Sequence, residues 1–289
     1  MRSFEAMNPL ACAVHLLTVI GITIFCTEPV LLTVSFVAAL TFFIVLNGSR
    51  NRGFHLAAIG MPALFALLNP LWNQHGTTVL FLINDRAITA EALFFGAVTG
   101  VRLAAVLYWF RIFSDYMTSE KLFYLFRFLS PKLALIFTMA VRNLTLFRQQ
   151  AKKIQIAQKG IGLYREEHLI DDIRGKLRVF SILLTWALEN GIITANSMQA
   201  RGYGSGKRSS FTYFKWHRSD TAFVCFAGCL CTVTILGLTN GCAEWTFYPV
   251  CQAPAMDLRY FSVLIPFSVT AILPLIHELR EKIRSRVMM

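Results

Sequence analysis

Val30-Leu31-Leu32-Thr33-Val34-Ser35-Phe36-Val37-Ala38-Ala39-Leu40-Thr41-Phe42-Phe43-Ile44-Val45-Leu46 runs for 17 residues without a charge. An α-helix of about that length crosses the hydrocarbon core of a bilayer. Five further apolar runs of similar length lie at residues 10–26, 54–72, 88–113, 221–239 and 258–277. The whole chain fits this reading: 289 residues with 55% apolar side chains, 25 Phe and a mean hydropathy of +0.54 are too hydrophobic for a soluble domain. The expected fold is all-α, a polytopic helical membrane protein with about six spans. The first run leads straight into the second with no small-residue cleavage signature, so it is expected to stay in the membrane.

Charge orients the spans, because cytoplasmic loops collect Lys and Arg. Arg50 and Arg52 lie between spans two and three. Residues 114–220 hold 17 Lys and Arg against 8 Asp and Glu, and the tail adds Arg280, Lys282, Arg284 and Arg286. In a six-span arrangement all three regions share one face, and both termini are expected in the cytoplasm of a cell-membrane protein. The opposite loops, 73–87 and 240–257, carry Arg86 as their only fixed cation. Topology therefore accounts for the net charge of +12, which leaves nucleic acid unneeded as a partner. The lipid bilayer is the partner this composition requires, with anionic headgroups as a natural contact for the basic face.

Cys225, Cys229 and Cys231 sit inside an apolar span and read as small buried hydrophobes. Cys242 and Cys251 share an outside loop, where they either pair or stay free. The six His residues form no HExxH and no metal-ligand spacing, so neither a metal nor another cofactor is expected. Arg102 falls near the middle of the fourth run; an intramembrane Arg is costly, which makes it a functional candidate by default. Asn69-Pro70 is expected to shape the end of the third span.

Three regions follow: membrane helices over 1–113, a basic segment with long amphipathic helices over 114–220, and membrane helices with a basic tail over 221–289. In the middle region Ser130-Pro131 starts a helix, Ser as N-cap and Pro where its missing N–H costs nothing, expected to run to about Lys159. A polar turn over 164–172 follows. A second helix then carries Leu177, Ser181, Leu184, Leu188, Ala195 and Met198 at spacings of three, four and seven, widened by Phe180, Leu183 and Ala187. That stripe faces either this chain's own spans or a second membrane protein. Each long helix ends on a similar tip, Lys159-Gly160-Ile161-Gly162 and Arg201-Gly202-Tyr203-Gly204. The first glycine of each is expected to take the left-handed conformation that stops a helix. Ala200 and Gly202 leave the Arg201 guanidinium uncrowded, free to fork onto a carboxylate. A phosphate-binding loop at Gly206-Lys207 fails on spacing, since positions 201 and 208 are both Arg.

Four stretches carry a family resemblance: Leu68-Asn69-Pro70-Leu71-Trp72-Asn73-Gln74-His75-Gly76, Met117-Thr118-Ser119-Glu120-Lys121, Ala157-Gln158-Lys159-Gly160-Ile161-Gly162 and Ser197-Met198-Gln199-Ala200-Arg201-Gly202-Tyr203-Gly204. Over nearly its whole length the chain resembles the transmembrane T component of energy-coupling factor transporters, the family that includes the CbiQ proteins. The resemblance implies a non-enzymatic scaffold with two partner classes, a pair of ABC-type ATPase subunits and a substrate-binding membrane S component. It implies that Ala-Arg-Gly motifs ending the cytoplasmic coupling helices dock on the ATPases. Ala200, Arg201 and Gly202 match the second motif. In the first, Gln158-Lys159-Gly160 stands where the family has Ala-Arg-Gly, with Ala157 one position early. The alternative readings are the membrane domain of a conventional ABC importer, which offers one coupling helix per chain, and a stand-alone membrane enzyme, for which the acidic pairs Glu166-Glu167 and Asp171-Asp172 beside His168 make a poor site.

Overall fold

The computed structural model describes residues 7–47, 52–73, 76–83, 86–162, 169–206, 214, 216–249, 251–254 and 257–287. The chain divides into two compact units, Met1–Leu122 with Phe214–Met289, and Phe123–Tyr213. The larger unit holds α1 (Pro9–Phe25), α2 (Pro29–Asn47), α3 (Arg52–Trp72), the strands β1 (Val79–Ile83) and β2 (Arg86–Thr89), α4 (Ala90–Tyr116), α8 (Arg218–Thr239) and α9 (Leu258–Val287). α5 (Ser119–Leu129) straddles the boundary; α6 (Pro131–Gly160) and α7 (Leu169–Ala200) make up the smaller unit. This is a polytopic all-α membrane protein.

Among the described residues, six helices are by length and composition long and apolar enough to cross a membrane: Pro29–Leu46, Arg52–Trp72, Ala90–Tyr116, Asp171–Ala200, Arg218–Thr239 and Leu258–Arg280. Five coincide with the runs read from the sequence. The first run forms a slightly shorter apolar helix of 17 residues, Pro9–Phe25, and the sixth of these helices is α7, read as amphipathic, which reaches this length and hydropathy by composition alone. The physical reason is how its charges are distributed. They crowd the first turns, whereas residues 179–200 contain Glu189 as their single charge.

Lipid tails are as apolar as leucine, so close backbone approach and polar contacts must hold spanning helices together. Gly96 and Gly100 of α4 supply the first. A Cβ on Gly96 would lie 2.5 Å from the Phe65 carbonyl oxygen, and one on Gly100 would lie 2.5 Å from the Pro62 Cα. Two bare turns of α4 thus press directly onto the α3 backbone. Gly237 does the same between α8 and α9, where a Cβ would strike the Val263 side chain. A buried hydrogen-bond relay supplies the second. Trp109 Nε1 donates to Ser35 Oγ at 3.0 Å, Ser35 and Thr23 share a bond of 2.9 Å, and Thr23 donates to the Val19 carbonyl at 2.8 Å. Since a hydroxyl has one proton, Ser35 is the donor to Thr23. α4, α2 and α1 are joined through this chain.

The core has two parts. Around the relay pack Leu16, Val19, Phe42, Phe43, Tyr108 and Ile112; toward the other end of the helices pack Leu31, Leu32, Val98, Tyr260, Val263 and Phe267. At that second end the fully buried Glu28 carboxylate accepts from the Leu31 amide at 2.5 Å and the Tyr260 hydroxyl at 2.8 Å, tying the α1–α2 corner to α9.

The loop at 73–87 folds more than the sequence suggested. β1 and β2 pair antiparallel, from Val79↔Thr89 to Ile83↔Arg86, with an irregularity between Val79 and Phe81. α3 and the hairpin are both tied to α4: Asn69 donates to the Ala92 carbonyl at 2.6 Å, and just before β1 the Thr77 hydroxyl and Thr78 amide reach the buried Glu91 carboxylate at 3.2 Å each. Gly76 sits so close that a Cβ would lie 2.6 Å from Glu91 Oε2. α3 continues past Asn69-Pro70 to Trp72.

Overpacking at the α3–α4 contact is expected to cost about 1–3 kcal/mol. Gly100→Val should lower the thermal midpoint of the purified protein in detergent, whereas Gly60→Val on α3, where a Cβ meets nothing within 4 Å, should leave it unchanged. Equal midpoints for the two variants would show that the helices do not depend on this approach.

Candidate functional site

The smaller unit is built on two long helices. Ser130 holds the extended N-cap conformation before Pro131, and its carbonyl accepts from Ala134 at 3.1 Å; its side chain makes no capping bond. The preceding helix folds back on α6 through Phe126 and Phe137, stacked 4.8 Å apart. α6 and α7 meet at Phe147 and Trp186, edge to face at 5.8 Å. From that joint α6 continues about 20 Å to Gly160, and α7 about 21 Å to Ala200, at a rise of ~1.5 Å per residue. Two arms of nearly equal length therefore leave one aromatic joint.

Much of the apolar surface of α6 and α7 is uncovered, on both sides of the joint. Leu177, Phe180, Leu184 and Leu188 of the stripe are 61%, 61%, 51% and 64% exposed, and Ile192 and Ile193 extend it. On α6, Leu133, Ile136, Val141 and Leu144 are exposed as well. The polar start of α7 is held by the Lys176–Asp172 pair at 2.6 Å and by Asp171 and Asp172 in its first turn, where carboxylates suit the positive end of the helix dipole.

α7 ends in a complete Schellman motif. Tyr203 N–H donates to the Met198 carbonyl at 3.0 Å, Gly202 N–H to the Gln199 carbonyl at 2.9 Å, and Gly202 takes φ +79°. Gly204 follows at φ +93°, and Ser205 closes the turn onto the Gly202 carbonyl through its amide and hydroxyl. Arg201 therefore stands at the last residue before the turn, exposed, between Ala200 and a glycine.

The first tip ends differently from expectation. Gly160 remains helical, and Gly162 is the left-handed residue, φ +74°, with its amide on the Lys159 carbonyl at 3.0 Å. Ile161, not Lys159, occupies the place that Arg201 has on α7. Two glycines two residues apart allow either to stop a helix, and the repeated cation-glycine pattern pointed to the wrong one here. Ala157, Lys159 and Gly160 are exposed, as is Ile161 at 73%. Gln158 is 5% exposed and turned inward, its carboxamide oxygen unpaired among the described residues. The segment 163–168, with Glu166, Glu167 and His168, lies outside the described residues.

Arg102 is half-buried on α4 and forms no ion pair or hydrogen bond with the described residues. Lys121 from the Met117 to Lys121 stretch lies 5.9 Å over the Tyr116 ring. Cys242 and Cys251 are separate thiols. Among the described residues no three His, Cys, Asp or Glu side chains gather closely enough to hold a metal ion.

Apolar helices of spanning length bound by glycine contacts and a buried relay, with two long helices ending in glycine-closed tips, define a multi-pass membrane protein. Residues 2–213 match the family model described as cobalt transport protein, CbiQ. The chain belongs to that family and works with partner subunits. No curated protein matches it.

A side chain at Gly202 must adopt the left-handed conformation, which costs about 1–2 kcal/mol. Gly202→Ala should therefore speed amide exchange at Arg201 to Tyr203 by about five- to thirtyfold. Gly206→Ala, at a glycine without positive φ, should not. Unchanged exchange in Gly202→Ala would remove the Schellman bonds as the stop of α7.

Proposed function

We propose that this chain is the T component of an energy-coupling factor importer, a scaffold that carries the movement of two ABC-type ATPases to a substrate-binding membrane S component. The observation carrying this reading is the end of α7: an exposed Arg201 on a rigid Schellman turn, with Ala200 and Gly202 leaving the helix end narrow enough to enter a groove. A guanidinium so placed can grip a carboxylate through two parallel hydrogen bonds. Ala157, Gln158, Lys159 and Gly160 form the second docking end, with Ile161 as the most exposed apolar residue of that tip. Lys159 is a point donor and lacks the fork.

ATP binding and hydrolysis close and open the ATPases, the two tips move with them, and the arms transmit this through the joint at Phe147 and Trp186. The exposed stripe from Leu177 to Met198 is the surface for the S component. The N- and C-termini, the loop at 48–51 and both tips face the cytoplasm, as the clustering of Lys and Arg supports. The transported solute, a metal ion such as cobalt or a vitamin, is recognised by the S component. The division of the chain into membrane helices over 1–113 and 221–289 around a coupling region over 114–220 follows this assignment of roles.

Co-expression with the ATPases and the S component of the same operon tests the reading. Truncating or reversing one partner of a buried charge pair costs about 2–5 kcal/mol, so Arg201→Glu should reduce recovery of at least one ATPase more than tenfold on affinity purification. Lys159→Glu should reduce it less. Full recovery of both ATPases with Arg201→Glu would reject the docking role. Two copies of this chain per ATPase pair, in place of one, would favour the conventional importer arrangement.

A further inference from the structure

In the larger unit, α1 and α8 part near their C-terminal ends to leave a groove of about 550 Å³. Thr18, Gly21 and Phe25 line one wall, Ile235 and Leu238 the other, and Glu244 stands at the end where both helices stop. A Cβ on Gly21 would meet nothing within 4 Å, so the open space lies directly over the α1 backbone. From Thr18 to Phe25 the groove follows α1 for about 10 Å, within the ~15 Å of hydrocarbon that one leaflet contributes. Its flanks are apolar and exposed: Leu17, Phe25 and Leu236 are 51%, 86% and 62% exposed. Glu244 is exposed at the mouth, its carboxyl carbon folded 3.4 Å from where a Gly241 Cβ would sit.

We propose that this groove binds one acyl chain of a phospholipid from the leaflet opposite the basic loops, and that Glu244 selects a headgroup bearing an ammonium. The apolar walls match a hydrocarbon chain entering from the side, and the depth matches the part of a leaflet below the headgroups. The charge at the mouth decides the headgroup. Residues 240–257 contain Glu244 and Asp257 but no Lys or Arg, so a carboxylate at headgroup level attracts ethanolamine-type lipids and repels glycerol-type anionic ones. A resident chain there supplies the close packing between α1 and α8 that no side chain provides at Gly21.

The test uses the full-length protein, purified in mild detergent and incubated with equimolar phosphatidylethanolamine and phosphatidylglycerol, with bound lipid counted by native mass spectrometry. The wild type should retain one lipid, mainly phosphatidylethanolamine. Gly21→Phe and Ile235→Trp, which fill the groove from opposite walls, should each lower its occupancy about tenfold, the effect of losing contact with two methylenes. Gly228→Leu, at an open position on α8 outside the groove, should retain it. Glu244→Gln should keep the lipid while lowering the ethanolamine preference about two- to fivefold. Circular dichroism and the thermal midpoint identify any variant that fails to fold, and the filled variant from the other wall then decides. Wild-type occupancy in both filled variants overturns the site, as does a wild type that retains no lipid. An unchanged headgroup ratio in Glu244→Gln overturns the role of Glu244. Loss of a co-purifying protein from the filled variants, with bound lipid unchanged, makes the occupant a polypeptide and overturns the proposal.

Discussion

Hydrocarbon offers two leucines no reason to prefer each other over a lipid tail, and every helix of the larger unit answers that constraint. Between α3 and α4 the answer is steric: Gly96 and Gly100 remove the side chains that would keep the backbones apart, so dispersion acts over a long contact at short range. Among α4, α2 and α1 it is polar: Trp109, Ser35 and Thr23 each satisfy the next, and the last proton ends on a carbonyl of α1. Removing one member strands its neighbours in a medium with no water to replace it. Glu28 and Tyr260 repeat the device at the other end, which fixes α9 against the corner between the first two helices.

The two arms of the smaller unit obey a different rule. Their apolar faces are not closed off within the unit, and their ends, unlike those of the packed helices, project a cation and a glycine turn. The uncovered stripe suits packing against a partner, and a hydrogen-bonded helix that ends in a closed turn suits the coupling role proposed above, because force applied at its end passes along the backbone with little loss to bending. Phe147 and Trp186 are then the one ring contact through which α6 and α7 are coupled among the described residues.

Much of this was legible in the sequence, because span length is a physical constant of the bilayer. Runs at 30–46, 54–72, 88–113 and 221–239 became helices with ends within three residues, and the run at 258–277 became α9, which continues ten residues further to Val287. Ser130-Pro131 opened α6, and Gly202 closed α7. What stayed hidden depended on partners distant in sequence. Val79-Leu80-Phe81-Leu82-Ile83 lay within a stretch read as loop, since a strand's pairing is decided by a turn rather than by its own composition. The role of Gly96 and Gly100 needed Pro62 and Phe65 beside them. At the first tip, two glycines competed to end one helix, and local pattern alone could not rank them.

The positions of those terminating glycines set the bearing of each cation about its helix axis. Counted back from the left-handed residue, Arg201 precedes Gly202 by one place and Lys159 precedes Gly162 by three. Two residues correspond to about 200° of rotation and 3 Å of rise. Laid end on end, the arms therefore send their charges toward nearly opposite sides. Exchanging the three-residue motifs between the arms exchanges chemistry without exchanging azimuth; a faithful transplant has to carry the stop signal with it.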